Sequence, residues 1–207
     1  MKLIVFGATG GIGAHVVAQA LAAGHDVTAV ARRPSAVTLR HERLSVIEGD
    51  VLNAVSIRAS VVGQDAVVSA LGVRDRAPTT VYSEGVANIM QAMQAAQVRR
   101  IICISASGLD AGIWWQRFMG KVFLWRLLKN MYTDLLRMES EVTASNLDWT
   151  ILRPPAYTNG PRTGHYQAVV NHKLTHGWHI SRADIADYIV HHLNDTNTYC
   201  GRVELAY

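Results

Sequence analysis

Two cysteines in 207 residues leave no disulfide framework to expect. Cys103 sits inside the apolar run RRIICIS and Cys200 lies near the C-terminus, a spacing that suits neither zinc nor redox work. A reducing, cytoplasmic setting is the expectation that goes with this. Charge of one sign does not dominate either: 20 Lys and Arg stand against 16 Asp and Glu, a formal net charge of +4. The basic residues are scattered except at Arg32 and Arg33 and around Arg117 to Lys129, which argues against nucleic acid as a partner. MKLIVF at the start has neither a basic n-region nor a cleavage site, so no signal peptide is expected. Repeats, linkers and low-complexity tracts are lacking too. With 49% of the chain apolar, one domain able to bury a full core is expected, without disulfides or metals.

What is present begins at once. The apolar run Leu3 to Phe6 enters glycines at Gly7, Gly10 and Gly13, with Thr9 inside the loop, and a helix-like AHVVAQALAAG follows. Strand, glycine turn and helix start, in that order, form a dinucleotide site. The glycines allow a tight turn, let a pyrophosphate approach the main chain, and let the helix pack on the strand. Free amides at the helix start face the phosphates.

Further β-like runs recur at Asp26 to Val30, Leu44 to Ile47, Ala66 to Ser69, Ile101 to Ile104, Trp149 to Leu152 and Arg202 to Leu205. Helical patterns lie near Ser56, at Thr80 to Gln97, at Met131 to Ser145 and at Arg182 to Leu193. This alternation predicts an α/β fold of Rossmann type: a doubly wound, mostly parallel sheet with helices on both faces. Ligands of such sheets bind at the carboxyl ends of the strands. After the second run stand Arg32 and Arg33, where a carboxylate would read the 2′-hydroxyl of NAD; two guanidiniums suit the 2′-phosphate of NADP, or else a solvated basic turn. After the third, Asp50 and Val51 lie where an adenine edge is expected, Asp50 having a turn or helix cap as its other reading. After the fourth, Leu71 and Gly72 would let the backbone approach the ribose. After the fifth, Ser105 and Ser107 would lie beside the nicotinamide, or merely satisfy the strand end.

FGATGGIG, GDV, LGVRDRAPTTVYSEGVANIMQAM, the ISAS strand end, LDWTILRPP and ISRADIADYIV, in this order, cover nearly the whole chain. They resemble the atypical short-chain dehydrogenase/reductases, in particular the NmrA-like proteins and the biliverdin reductase B (flavin reductase) branch. The resemblance implies NADP along the strand ends and hydride delivery to a flat conjugated acceptor, such as a flavin (FMN among them), a quinone or a linear tetrapyrrole such as biliverdin. It also implies a non-catalytic, redox-sensing NADP-binding regulator as the alternative. Carried over by position, Gly7, Thr9, Gly10, Gly11, Ile12 and Gly13 form the pyrophosphate loop. Arg32 and Arg33 hold the 2′-phosphate, Asp50 and Val51 neighbour adenine, and Leu71 and Gly72 flank the ribose. Ser105 is the implied catalytic residue beside the nicotinamide, Ala106 joins the cofactor set, and Pro154 and Pro155 close on the ring. The chain departs from the branch directly after the proline pair, where Ala156 and Tyr157 replace a histidine. This disfavours tetrapyrrole reduction and leaves Tyr157 on the substrate side.

Ordinary ketone reduction in short-chain dehydrogenases needs a tyrosine acid and a lysine four residues later. No tyrosine here has that partner: Tyr132 is followed by Leu136, Tyr157 by Pro161, Tyr166 by Val170 and Tyr188 by His192. Flavins and quinones make weaker demands, since their reduced forms are delocalised and take protons from water; positioning of donor and acceptor then does most of the work. The hydrophobic segment at about 112–130, with Trp114, Trp115, Phe118, Phe123 and Trp125, is read as an acceptor-site wall or lid, with Trp114 and Trp115 against the substrate. Core packing, a homodimer face and a membrane-surface face are its other readings, and it is too short and too charged to span a bilayer. The late histidines, His165, His172, His176, His179, His191 and His192, show no metal-binding pattern and the sequence from His165 to His179 reads as loop. Asp184 and Asp187 are read as helix-start acids, and Glu139 as a structural or ribose-side carboxylate.

Overall fold

The computed structural model describes residues 1–73, 77–109 and 122–207, and for 122–127 the backbone alone. Ten strands and five helices are described: β1 (Lys2–Phe6), α1 (Gly11–Ala22), β2 (Asp26–Ala31), β3 (Leu44–Glu48), α2 (Ala54–Arg58), β4 (Ala66–Ser69), α3 (Ser83–Ala95), β5 (Arg100–Ile104), α4 (Val122–Thr143), β6 (Asp148–Arg153), β7 (Ala156–Thr158), β8 (Gln167–Val170), β9 (His179–Ser181), α5 (Arg182–His191) and β10 (Gly201–Ala206). Eight strands form one sheet in the order β3-β2-β1-β4-β5-β6-β10-β8, and β7 pairs with β9 in a second, two-stranded sheet. Every pairing in the large sheet is parallel except β10 with β8. The expected doubly wound Rossmann-type fold is the observed one.

The apolar runs become central strands because both their faces are covered. Leu3, Ile4, Val5 and Phe6 are all fully buried. By strand alternation, Leu3 and Val5 join the core layer under α1 and α5, while Ile4 and Phe6 join the layer under α3 and α4. Edge strand β3 is only half-buried. Strand order reverses between β1 and β4, and an open α/β sheet binds its ligand in the crevice outside the carboxyl ends of its strands at such a reversal.

The stretch from His165 to His179 corrects the expectation of a loop. It contains β8 and enters β9, and Ala156–Thr158 is also extended. These strands are short and mostly exposed. What holds them is pairing with distant partners, Val169 opposite Glu204 and Tyr157 opposite Ile180, which no local periodicity reports. Helix α4 also starts earlier than its pattern suggests, at Val122 rather than Met131.

Candidate functional site

The glycine loop is built against the end of β4. Gly7 has φ +77°, in the left-handed region, and a Cβ on it would lie 2.3 Å from the Ala70 carbonyl oxygen. A Cβ on Gly13 would lie 2.2 Å from the Gly7 carbonyl oxygen, so α1 can pack this close to β1 only with glycine there. The Gly10 amide donates to the Gly7 carbonyl at 2.9 Å, and the Ala14 amide to the Gly10 carbonyl at 2.9 Å. The turn thus closes directly into α1, which starts at Gly11 with no side-chain cap and no acidic residue in its first turn. Thr9 and Gly11 are exposed on the loop, while Ile12 is buried beneath it. Uncapped amides at a helix start, with the macrodipole behind them, attract an anion.

The other expected positions follow the crevice. Arg32 and Arg33 come directly after β2, both exposed, and among the described residues neither side chain has a hydrogen-bond or ion-pair partner. Asp50 organises its own turn: its Oδ1 accepts from the Leu52 amide at 3.1 Å, and its backbone amide and carbonyl meet the Ser56 hydroxyl. Val51 is buried under α3, where Asn88 donates to its carbonyl at 2.8 Å. Leu71 packs against the same core layer, and Gly72 faces open space. The ends of β5 and β6 are tied together, with the Ser105 amide donating to Leu152 and the Ser107 amide to Pro154. Ala106 and Pro155 are half-buried beside this seam, and Pro154 is buried within it.

Ser105 itself is only 3% exposed. Its hydroxyl donates to Glu139 Oε1 at 2.6 Å. Glu139, equally buried, accepts from Arg153 through Nε at 2.9 Å and through a second, shorter bond at Nη2, and Arg202 lies 3.4 Å away. Glu139 is therefore the structural carboxylate of the two roles expected for it, and the Ser105 hydroxyl is committed to that interior pair.

Three phenols gather nearby. Tyr82, Tyr132 and Tyr157 are all pushed to higher pKa by burial, and the charge of Tyr157 would raise the other two further. The Arg182 guanidinium, 5.1 Å from the Tyr157 ring centre, only partly offsets that rise. None of these phenols is acidified as the tyrosine of a Tyr/Lys pair is. Tyr157 is itself 39% exposed. Trp114, Trp115 and Phe118 lie outside the described residues, as do the side chains of Phe123 and Trp125.

Cavities open at two places among the described residues. The larger, about 360 Å³, lies at the β3 edge between Pro34 and Val46, away from the reversal of strand order. The other, about 210 Å³, opens at the ends of β5, β6 and β10, with Ser107, Pro155 and Leu174 in its lining. Among the described residues no group of three or more His, Cys, Asp and Glu is placed to hold a metal ion, and no helix is long and apolar enough to cross a membrane.

Sequence reasoning missed two residues here. Asp134, on α4, is 1% exposed and caps α3 from a neighbouring helix, accepting from the Tyr82 amide at 2.9 Å and, more closely, from the Ser83 hydroxyl. Arg182, read only as part of a helix start, lies against Gly11.

This architecture defines a Rossmann-type nucleotide-binding protein. Residues 7–196 match the NAD(P)H-binding family, and the chain belongs to that family. It is 26% identical to UPF0659 protein YMR090W of Saccharomyces cerevisiae, over 95% of this chain and 88% of that protein. It is 27% identical to YwnB of Bacillus subtilis, over 92% of this chain and 89% of that one. Among solved structures, the oxidoreductase ylbE of Lactococcus lactis superposes with a TM-score of 0.85 at 23% identity, covering 100% of this chain and 90% of that one. A short-chain dehydrogenase/reductase of Veillonella parvula in complex with NADP gives 0.78 at 20% identity, covering 100% and 94%. At these identities the two structures share the fold.

Proposed function

We propose that the protein is an NADPH-dependent reductase that transfers hydride to a flat conjugated acceptor, a flavin or a quinone. The observation that carries the reading is the pairing of an uncapped, glycine-cradled helix start at the strand reversal with two exposed arginines after β2. A dinucleotide lying across the crevice would place its pyrophosphate at α1 and its 2′-phosphate at Arg32 and Arg33. Asp50 and Val51 would then border the adenine, with Leu71 and Gly72 along the ribose, and Ala106, Pro154 and Pro155 would frame the nicotinamide. The NADP complex of the Veillonella parvula protein, similar in fold, is in keeping with this.

When bound, the nicotinamide supplies the hydride. The chain's own part is binding, orientation and exclusion of water. With Ser105 held by Glu139 and the phenols raised by burial, no side chain among the described residues is tuned to protonate an alkoxide, which favours acceptors whose reduced form is stabilised by delocalisation. The 210 Å³ cavity is smaller than the roughly 300 Å³ at which small-molecule pockets begin, so it would take one ring of such an acceptor, with Tyr157 toward the remainder. The same commitment of Ser105 favours a second reading, a non-catalytic NADP-binding regulator.

Absorbance of NADPH during incubation with FMN, riboflavin or a simple quinone separates the two. Saturable oxidation that prefers NADPH to NADH is the expected result; tight NADPH binding with no oxidation of any acceptor would overturn the reductase and leave the regulator. Replacing Arg32 and Arg33 together by alanine is expected to weaken NADPH by about a hundredfold, two charge-assisted contacts, with little change for NADH. Equal losses for both nucleotides would remove the 2′-phosphate assignment.

A further inference from the structure

Gly11 is a glycine for a reason unlike that of Gly7. Its backbone is not in the left-handed region, yet a Cβ there would lie 2.5 Å from Cδ and 2.8 Å from Nε of Arg182. The missing side chain leaves a groove, and an arginine from the far end of the chain lies in it. Arg182 is the first residue of α5, whose N-cap is Ser181. Parallel pairing of β7 with β9 sets Thr158 opposite Ser181, which brings Asn159 beside Arg182. The guanidinium Nη1 donates a short hydrogen bond to Asn159 Oδ1 and lies 5.1 Å from the Tyr157 ring centre. Gln19 of α1 donates to the Ala183 carbonyl at 2.8 Å and fixes the two helices against each other.

The positive charge is not consumed by these contacts, because a neutral amide and an aromatic ring orient a guanidinium without neutralising it. The two carboxylates on the same helix are committed elsewhere. Asp184 accepts from the amides of Thr163 and Gly164 and from the hydroxyls of Thr163, Ser181 and Tyr207; Asp187 pairs with Arg162 at 2.6 Å and accepts from Tyr166. Among the described residues Arg182 has no carboxylate partner.

We propose that Arg182, threaded over Gly11 and held by Asn159 and Tyr157, is a pyrophosphate-binding residue of the dinucleotide site. It adds a fixed cation to the amides at the start of α1. The proposal rests on the reading that the glycine loop holds NADPH, and it assigns to that site a residue from the opposite end of the chain. It also gives Gly11 its role as the space through which the arginine reaches the loop.

The test compares wild type with Arg182→Ala, Arg182→Lys and Gly11→Ala by calorimetric titration with NADPH, 2′-phospho-ADP-ribose and adenosine 2′-monophosphate, which lacks the pyrophosphate. Unfolding midpoints of the same proteins control for structure. Arg182→Ala is expected to weaken the first two ligands by about tenfold or more, one charge-assisted hydrogen bond, and to leave the third unchanged. Arg182→Lys should recover part of the loss. Gly11→Ala should weaken the same two ligands by displacing the guanidinium, and the double variant with Arg182→Ala should be no weaker than the poorer single one. Unchanged NADPH affinity in Arg182→Ala, or equal losses on all three ligands, would overturn the proposal. Failure of wild type to bind NADPH or 2′-phospho-ADP-ribose would instead overturn the dinucleotide reading on which it rests.

Discussion

The Ser105 hydroxyl, the Glu139 carboxylate and the Arg153 guanidinium form one buried unit beneath the ends of β5 and β6, and each member depends on the others. A charge out of contact with water is tolerated only when it is paired and its remaining lone pairs are used. Glu139→Ala would remove the buried carboxylate that both Ser105 and Arg153 bond, and is expected to destabilise by about 3 kcal/mol, read from urea unfolding. Ser105→Ala removes one bond and should destabilise by about 1–2 kcal/mol. It should also lower turnover more than NADPH affinity, through loss of the hydroxyl bond that holds this strand end to Glu139. Unchanged turnover would show that this strand end plays no part in placing the acceptor. Cys103 shares the interior; burial, with the Glu139 charge second, pushes its thiol up to about 12, so it is a packing residue.

Among the elements, the β1–α1 unit shows how a glycine pattern becomes geometry. Gly7 and Gly13 leave no room for a Cβ because backbone carbonyls face them, whereas Gly72 faces nothing within 4 Å. Gly13→Ala is therefore expected to destabilise by about 2 kcal/mol and to weaken NADPH binding, while Gly72→Ala leaves the unfolding midpoint where it was. Similar unfolding midpoints for the two variants would mean that the loop relaxes around a new methyl group. Helix α3 makes the complementary point. Its own N-cap, Tyr82, provides no side-chain cap, and Asp134 supplies one from 52 residues away, favourable for both the orphan amides and the macrodipole. A capping motif is visible in a sequence when the cap is local, as with Ser181, which accepts from the Asp184 amide at 2.9 Å; Asp134 has no such mark.

For the molecule as a whole, acid stability should turn on the joint between α5 and the C-terminus. Asp184 is fully buried. Burial pushes its pKa up, but hydrogen bonds from Tyr207, Gly164 and Thr163 outweigh this and hold it below the ordinary value. A carboxyl group with a depressed folded pKa contributes stability that is present above the unfolded value, about 4, and is lost as pH falls through the folded one. Asp184→Asn is thus expected to lower the urea midpoint clearly at pH 7, with the difference from wild type narrowing below pH 4. A difference constant with pH would show that the charge contributes nothing.

The order of strands and helices, the doubly wound sheet, the glycine cradle and the arginines after β2 were legible in the residues, because each depends on local signals: apolar runs, helical periodicity, and glycines between a strand and a helix. The edge strands β8 and β9 were not, since their stability comes from partners far along the chain. Nor were the inward commitment of Ser105, the capping of α3 by Asp134, or the passage of Arg182 over Gly11. Those contacts join segments that no repeat or spacing connects, and they exist because packing two helical layers on one twisted sheet brings the last helix against the first. A linear pattern records which residues can turn, pair or hide from water; which distant side chains then meet is set by the packed geometry.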